Sequence, residues 1–163
     1  MRIQLKKGRD GPSTLACVRA DGSTTWGKEH PFFPTHDLTH CAVESVLGFD
    51  QAFFGLIASG WNIDDFVQPG ASRRIPFQAV VAEHVVGVLD RERLLPQLLS
   101  AAAFNENVRA SLPEDKRASF AQLTEVQLTQ MRALREALEA HWRRLPIGNT
   151  LQVEFPVKGA TPH

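Results

Sequence analysis

The sequence predicts an α+β fold: a small, mainly antiparallel sheet made by strands from both ends of the chain, with central helices packed on one face. Apolar and polar residues alternate near both termini with the period of two of a half-buried strand, and between them the period lengthens to about 3.6, that of a helix. The 163 residues suit one ordinary domain, and no repeat, low-complexity tract or linker divides them, so 1–163 is read as a single unit.

At the amino end Met1, Ile3 and Leu5 alternate with Arg2, Gln4 and Lys6, and Gly8 to Ser13 breaks the pattern. Thr14 to Ala20 and Ser23 to Trp26 flank Asp21-Gly22, a pair suited to the positive φ angles of a two-residue hairpin turn. The first helix is expected to be capped by Thr35 and to stop near Gly48; Asp50 then caps a short segment to Gly60 that is apolar nearly all round, as burial and close helix approach require. Asp64 to Arg74, with Pro69, Gly70 and Ser72, reads as a loop. Pro76 suits the start of a third helix through about Asp90, and Pro96 that of a fourth through about Phe104. Ser111-Leu112-Pro113-Glu114 has capping-box spacing ahead of a long run whose stripe is Phe120, Leu123, Met131, Leu134, Leu138, His141 and Leu145. At the carboxyl end Leu151, Val153, Phe155 and Val157 alternate with Gln152, Glu154 and Pro156, the proline falling at an edge or just past the last ladder bond.

Chemistry concentrates in Thr35-His36-Asp37-Leu38-Thr39-His40-Cys41-Ala42-Val43-Glu44. Histidines four apart on a helix point the same way and can chelate one ion. With His36 at 0° on an ideal helix, His40 falls near ~40°, Glu44 near ~80° and Asp37 near ~100°, so potential ligands share a sector. His36, His40 and Glu44 are therefore candidate metal ligands, and Asp37 and Glu44 candidate catalytic carboxylates that offset a cation's encounter with the positive end of the helix dipole. Neutral imidazole and carboxylate suit a divalent ion, zinc above all. Glu29 and His30, on a segment kinked by Pro31 and Pro34, are placed to fold back over the site. His84 lies in line with Phe77, Val80, Val81 and Val88; burial there favours the neutral ring, which needs either a hydrogen-bond partner in the core or a metal. Glu83, opposite Gln78 on its helix, reads as solvated surface.

Other classes lack parts. Eighteen basic residues balance eighteen acidic ones with no Lys/Arg run, which argues against nucleic acid as a partner. The longest apolar stretches, such as Ala52 to Ala58, fall short of the ~20 residues that span a bilayer, so no membrane association is expected. Met1 leads into a strand pattern rather than a basic-then-apolar leader, and a cytoplasmic location is expected. Cys17 and Cys41 suit small buried hydrophobes, and Cys41 and His40, adjacent on a helix, point about 100° apart, which argues against a nucleophile pair. There is no phosphate-binding Gly-rich loop with a Lys-Ser or Lys-Thr pair, and no Gly-x-Ser-x-Gly elbow.

The run Phe32-Phe33-Pro34-Thr35-His36-Asp37-Leu38-Thr39-His40 through Glu44, with Gly48-Phe49 and Phe54 to Trp61, resembles an uncharacterised family of bacterial proteins. The His36-Asp37-x-x-His40 portion is similar to the zinc-binding motif of the Coq4 family of ubiquinone biosynthesis. That family places a glutamate twelve residues beyond the second histidine, where this chain has Ala52, so the resemblance implies a metal site without quinone chemistry or a mitochondrial location. The likeness to His-Glu-x-x-His peptidases, with Asp37 in place of the glutamate, does not extend to a third ligand.

Two functional classes follow. In the first, the chain is a divalent-metal enzyme, a hydrolase or lyase acting on a small molecule, with a helical His-Asp-x-x-His site. In the second, it is a non-catalytic interaction module: the histidines form a polar helix face, and the stripe from Phe120 to Leu145 pairs with another copy to make a homo-oligomer.

Overall fold

A computed structural model of the chain describes residues 1–9, 11–29 and 33–157. The described elements are strands β1 (Arg2–Lys6), β2 (Ser13–Val18), β3 (Thr24–Glu29) and β4 (Thr150–Glu154), and helices α1 (Phe33–Leu47), α2 (Phe53–Ala58), α3 (Phe77–Glu92), α4 (Ala101–Ser111) and α5 (Glu125–Arg144). The strands form one antiparallel sheet in the order β3-β2-β1-β4, which brings both ends of the chain together as the alternation predicts. Ile3 pairs with Cys17 on one side and Val153 on the other, and Leu5 with Leu15 and Leu151. The β1–β4 pairing continues past the ladder, since Phe155 N–H donates to the Met1 carbonyl at 2.7 Å; Pro156 follows where no further donor is needed. The hairpin turns at Asp21-Gly22, but through three residues instead of two: only Gly22 has a positive φ (84°), its N–H donates to the Arg19 carbonyl at 3.1 Å, the Arg19 N–H donates to the Ser23 carbonyl at 2.9 Å, and the Asp21 carboxylate accepts from the Ser23 N–H at 2.9 Å.

Helix α1 is the hub. Its Leu38 and Cys41 pack with Ile3, Leu5, Leu15 and Cys17 of the sheet, while Val43 joins a second cluster with Val85 and Leu89 of α3, Phe104 and Val108 of α4, and Leu128 and Met131 of α5. Residues 37–44 are consequently all buried. Gly48, at φ 63°, ends α1, and the Phe49 N–H turns back to the Glu44 carbonyl at 2.9 Å.

Several boundaries differ from the sequence reading, each for a local reason. Helix α1 starts at Phe33, before Thr35, because Pro34 is tolerated in a first turn. Residue 52, an alanine with no capping atom, precedes α2, and Glu44 of α1 supplies the cap in place of Asp50. Within Asp64 to Arg74 the chain makes two short 3₁₀ turns, Ile63–Val67 and Ala71–Arg73. Helix α4 begins after Ser100, whose hydroxyl accepts from the Ala103 N–H, not at Pro96. Ser111 to Glu114 leads only into a 3₁₀ turn (Glu114–Ser119); the capping box that opens α5 is Thr124 with Gln127. The buried side of α5 accordingly runs Leu128, Met131, Arg135, Glu139 and Trp142, and His141 is exposed. Arg135 and Glu139 can be buried because Arg135 donates to the Leu89 carbonyl at 2.7 Å and Glu139 forms an ion pair with Arg93 at 2.6 Å. No described helix is long and apolar enough to cross a membrane.

Candidate metal centre

Helices α1 and α3 pack side by side, and their facing polar residues make the site. One nitrogen each from His36 and His40 and one oxygen of Glu83 lie within 4.8 Å of one another, close enough to hold a metal ion. The two rings meet edge to face with centroids 4.9 Å apart. Ligands at ~2.0–2.2 Å from one ion stand roughly 3.5 Å from each other, so small rotamer changes close the set.

Both imidazoles are anchored through the same nitrogen. His36 Nδ1 lies 2.9 Å from Asp90 Oδ2, and the other Asp90 oxygen accepts the Thr39 hydroxyl at 3.0 Å and the Arg93 guanidinium at 2.9 Å. Partial burial raises the Asp90 pKa, but the His36 hydrogen bond and the Arg93 charge outweigh it, and the group stays ionised. An ionised carboxylate only accepts, so His36 Nδ1 is the donor. His40 Nδ1 lies 3.2 Å from Glu44 Oε1 in the same way. Glu44 is fully buried and fixed through Oε2, which accepts the Phe54 and Gly55 N–H groups at 2.9 and 3.1 Å. Each histidine thus donates one N–H to a fixed carboxylate, the arrangement that orients a metal-binding imidazole and raises its basicity.

His40 Nε2 points at Glu83 Oε1, 3.3 Å away. Burial alone would depress the His40 pKa; the hydrogen bonds to Glu44 and Glu83 and their charges reverse this and raise it to about 10. The bond to His40 likewise outweighs desolvation at Glu83, whose carboxyl stays below its usual value. The ring therefore carries both protons and is ion-paired through Nε2 with Glu83. His40 is enclosed, with its side chain 3% exposed against 59% for Glu83, so the group opens to solvent on the α3 side.

The sequence-predicted residues divide accordingly. His36 and His40 share the group. Glu44 contributes no atom to it, because at i+4 from His40 its oxygens turn toward the ring Nδ1 and the start of α2. Asp37 is buried beside His36 but a third of a turn round the helix, and it too is outside the group. His84 faces away: its Nδ1 lies 2.9 Å from Ser111 Oγ, so the partner its half-burial calls for is a hydroxyl. His30 and His163 lie outside the described residues, as does the Glu29 side chain. Glu83, read as solvated surface, is the residue sequence reasoning missed. A period count on α3 alone shows it pointing outward; only the crossing with α1 sets it against His40. A cavity of about 700 Å³ lined by Ser45, Phe49, Gly55, Leu56, Pro76 and Phe155 includes none of the three residues.

Compared with known proteins, the chain matches no protein-family model, no curated protein and no solved structure.

Proposed function

We propose that the protein is a small zinc-dependent enzyme, a hydrolase or lyase acting on a small molecule, with His36, His40 and Glu83 as the metal ligands. The observation that supports this reading best is the convergence of those three ligand atoms from two helices, with each histidine already oriented by its own carboxylate. Two imidazoles and one carboxylate are the donors of an open catalytic zinc site, in contrast to the four protein ligands of a closed structural one. Bound there, zinc would acidify a coordinated water and polarise a substrate oxygen. The chain's own residues do the rest: Asp90 and Glu44 hold the two rings, Thr39 and Arg93 hold Asp90, and the exposed side of Glu83 leaves an approach for substrate.

Elemental analysis of untagged protein after reconstitution and desalting tests the reading, with one zinc per chain expected. His36→Ala and His40→Ala should each lose that zinc while staying folded, and His84→Phe, which removes only the contact to Ser111, should keep it. Stoichiometric zinc retained by both folded alanine variants, or none in the wild type, would sink the proposal.

A further inference from the structure

Gly87 occupies α3 between Glu83 and Asp90, four residues after the first and three before the second, on the helix side that meets His36 and His40. Glycine inside a helix needs a reason, since only proline is less favourable there. Packing does not supply one. A Cβ at Gly87 would have one neighbour within 4 Å, Arg91 Nη1 at 3.6 Å, which is ordinary contact; at Gly55, by comparison, it would lie 2.4 Å from the Asp50 backbone. The helix thus carries no side chain over the turn between Glu83 and Asp90, and the Arg91 guanidinium is what stands next to the place a Cβ would take. Arg91 is exposed and makes no hydrogen bond or ion pair among the described residues.

We propose that this gap is the substrate subsite of the metal centre, and that it takes a small carboxylate-bearing molecule whose carboxylate pairs with Arg91 over Gly87 while an oxygen at its other end meets the ion. The inference rests on the metal-site reading above. A planar guanidinium offers two parallel N–H donors that match a carboxylate. One guanidinium also balances one negative charge, whereas the two charges of a phosphate would be left unbalanced beside Glu83.

Zinc-loaded protein titrated calorimetrically with acetohydroxamate and with succinohydroxamate, the same chelating head without and with a carboxylate tail, tests the subsite. Succinohydroxamate should bind at least tenfold more tightly. Arg91→Gln, a change at an exposed side chain, should abolish that preference and leave acetohydroxamate unaffected. Gly87→Leu should weaken both probes at unchanged zinc content, and the milder Gly87→Ala should weaken them less if the leucine disturbs the helix. Equal affinity for the two probes, or a preference that survives Arg91→Gln, overturns the subsite while leaving the metal site standing. A wild-type protein that holds no zinc overturns both.

Discussion

Asp90 and Glu44 do similar work from different depths, and substitutions should separate them. Asp90 is partly exposed and shares its charge with Arg93, so Asp90→Asn should leave a folded protein that binds zinc ~10–100-fold more weakly, read by competition with a chromogenic chelator. Glu44 is fully buried, and Glu44→Ala would leave the His40 N–H and two α2 amides without an acceptor. A loss of ~3–5 kcal/mol in denaturant unfolding is expected, with metal binding abolished as a secondary effect. Cys41 gives a third measurement: burial pushes its thiol up to about 12, despite a hydrogen bond with Ser45, so iodoacetamide at pH 8 should label it only in unfolded protein. At this scale the sequence is readable where chemistry is local. His36 and His40 are four apart on one helix, and their shared direction follows from the helix alone. Asp90 and Glu83 become partners only through the packing of α1 on α3, and no periodicity within either segment encodes that crossing.

Among the helices, boundaries are legible where a cap lies next in sequence and obscure where it comes from elsewhere. Gly48 ends α1 by its own positive φ; the capping box of α5, Thr124 with Gln127, is just as local, yet the same spacing at Ser111 to Glu114, which leads only into a 3₁₀ turn, competes with it and reads as the start. Helix α2 has no such device; its free amides are met by a side chain ten residues upstream, so its start could not be read from the residues beside it. The stripe of α5 was misread for a related reason: buried Arg135 and Glu139 interrupt the apolar pattern, and their partners Leu89 and Arg93 belong to α3 or its end. Gly87 shows function and helix propensity in opposition. Gly87→Ala should raise stability by ~0.5–1 kcal/mol, because the new methyl makes only an ordinary contact with Arg91, while weakening binding of small chelating carboxylates. Thermal unfolding checks the first half; a decrease in stability would mean the helix is strained there for reasons of packing.

For the molecule as a whole, the sheet is the part most fully readable in advance, since alternation at the two ends places Ile3, Val18 and Val153 in one sheet through the pairing of β1 with both β2 and β4. Strand β4 arrives last in the chain and buries Leu151 and, just beyond it, Phe155 in the core shared with α1. Removing residues 150–163 should therefore abolish cooperative unfolding by circular dichroism, not merely fray an edge. How α1 came to be buried along residues 37–44 was not readable, because a central helix carries polar groups wherever they find partners, and Thr39, His40 and Glu44 disguise its depth. The Glu44 bridge has a practical consequence for observing this protein. Its two oxygens join the ring of His40 to the amides of Phe54 and Gly55, so those amides act as a built-in spectroscopic gauge of the centre. Whatever changes the hold of His40 on Glu44 changes, by the reciprocity of linked equilibria, how often the first turn of α2 opens to solvent. Their hydrogen–deuterium exchange would then follow occupancy of a site to which neither amide is a ligand.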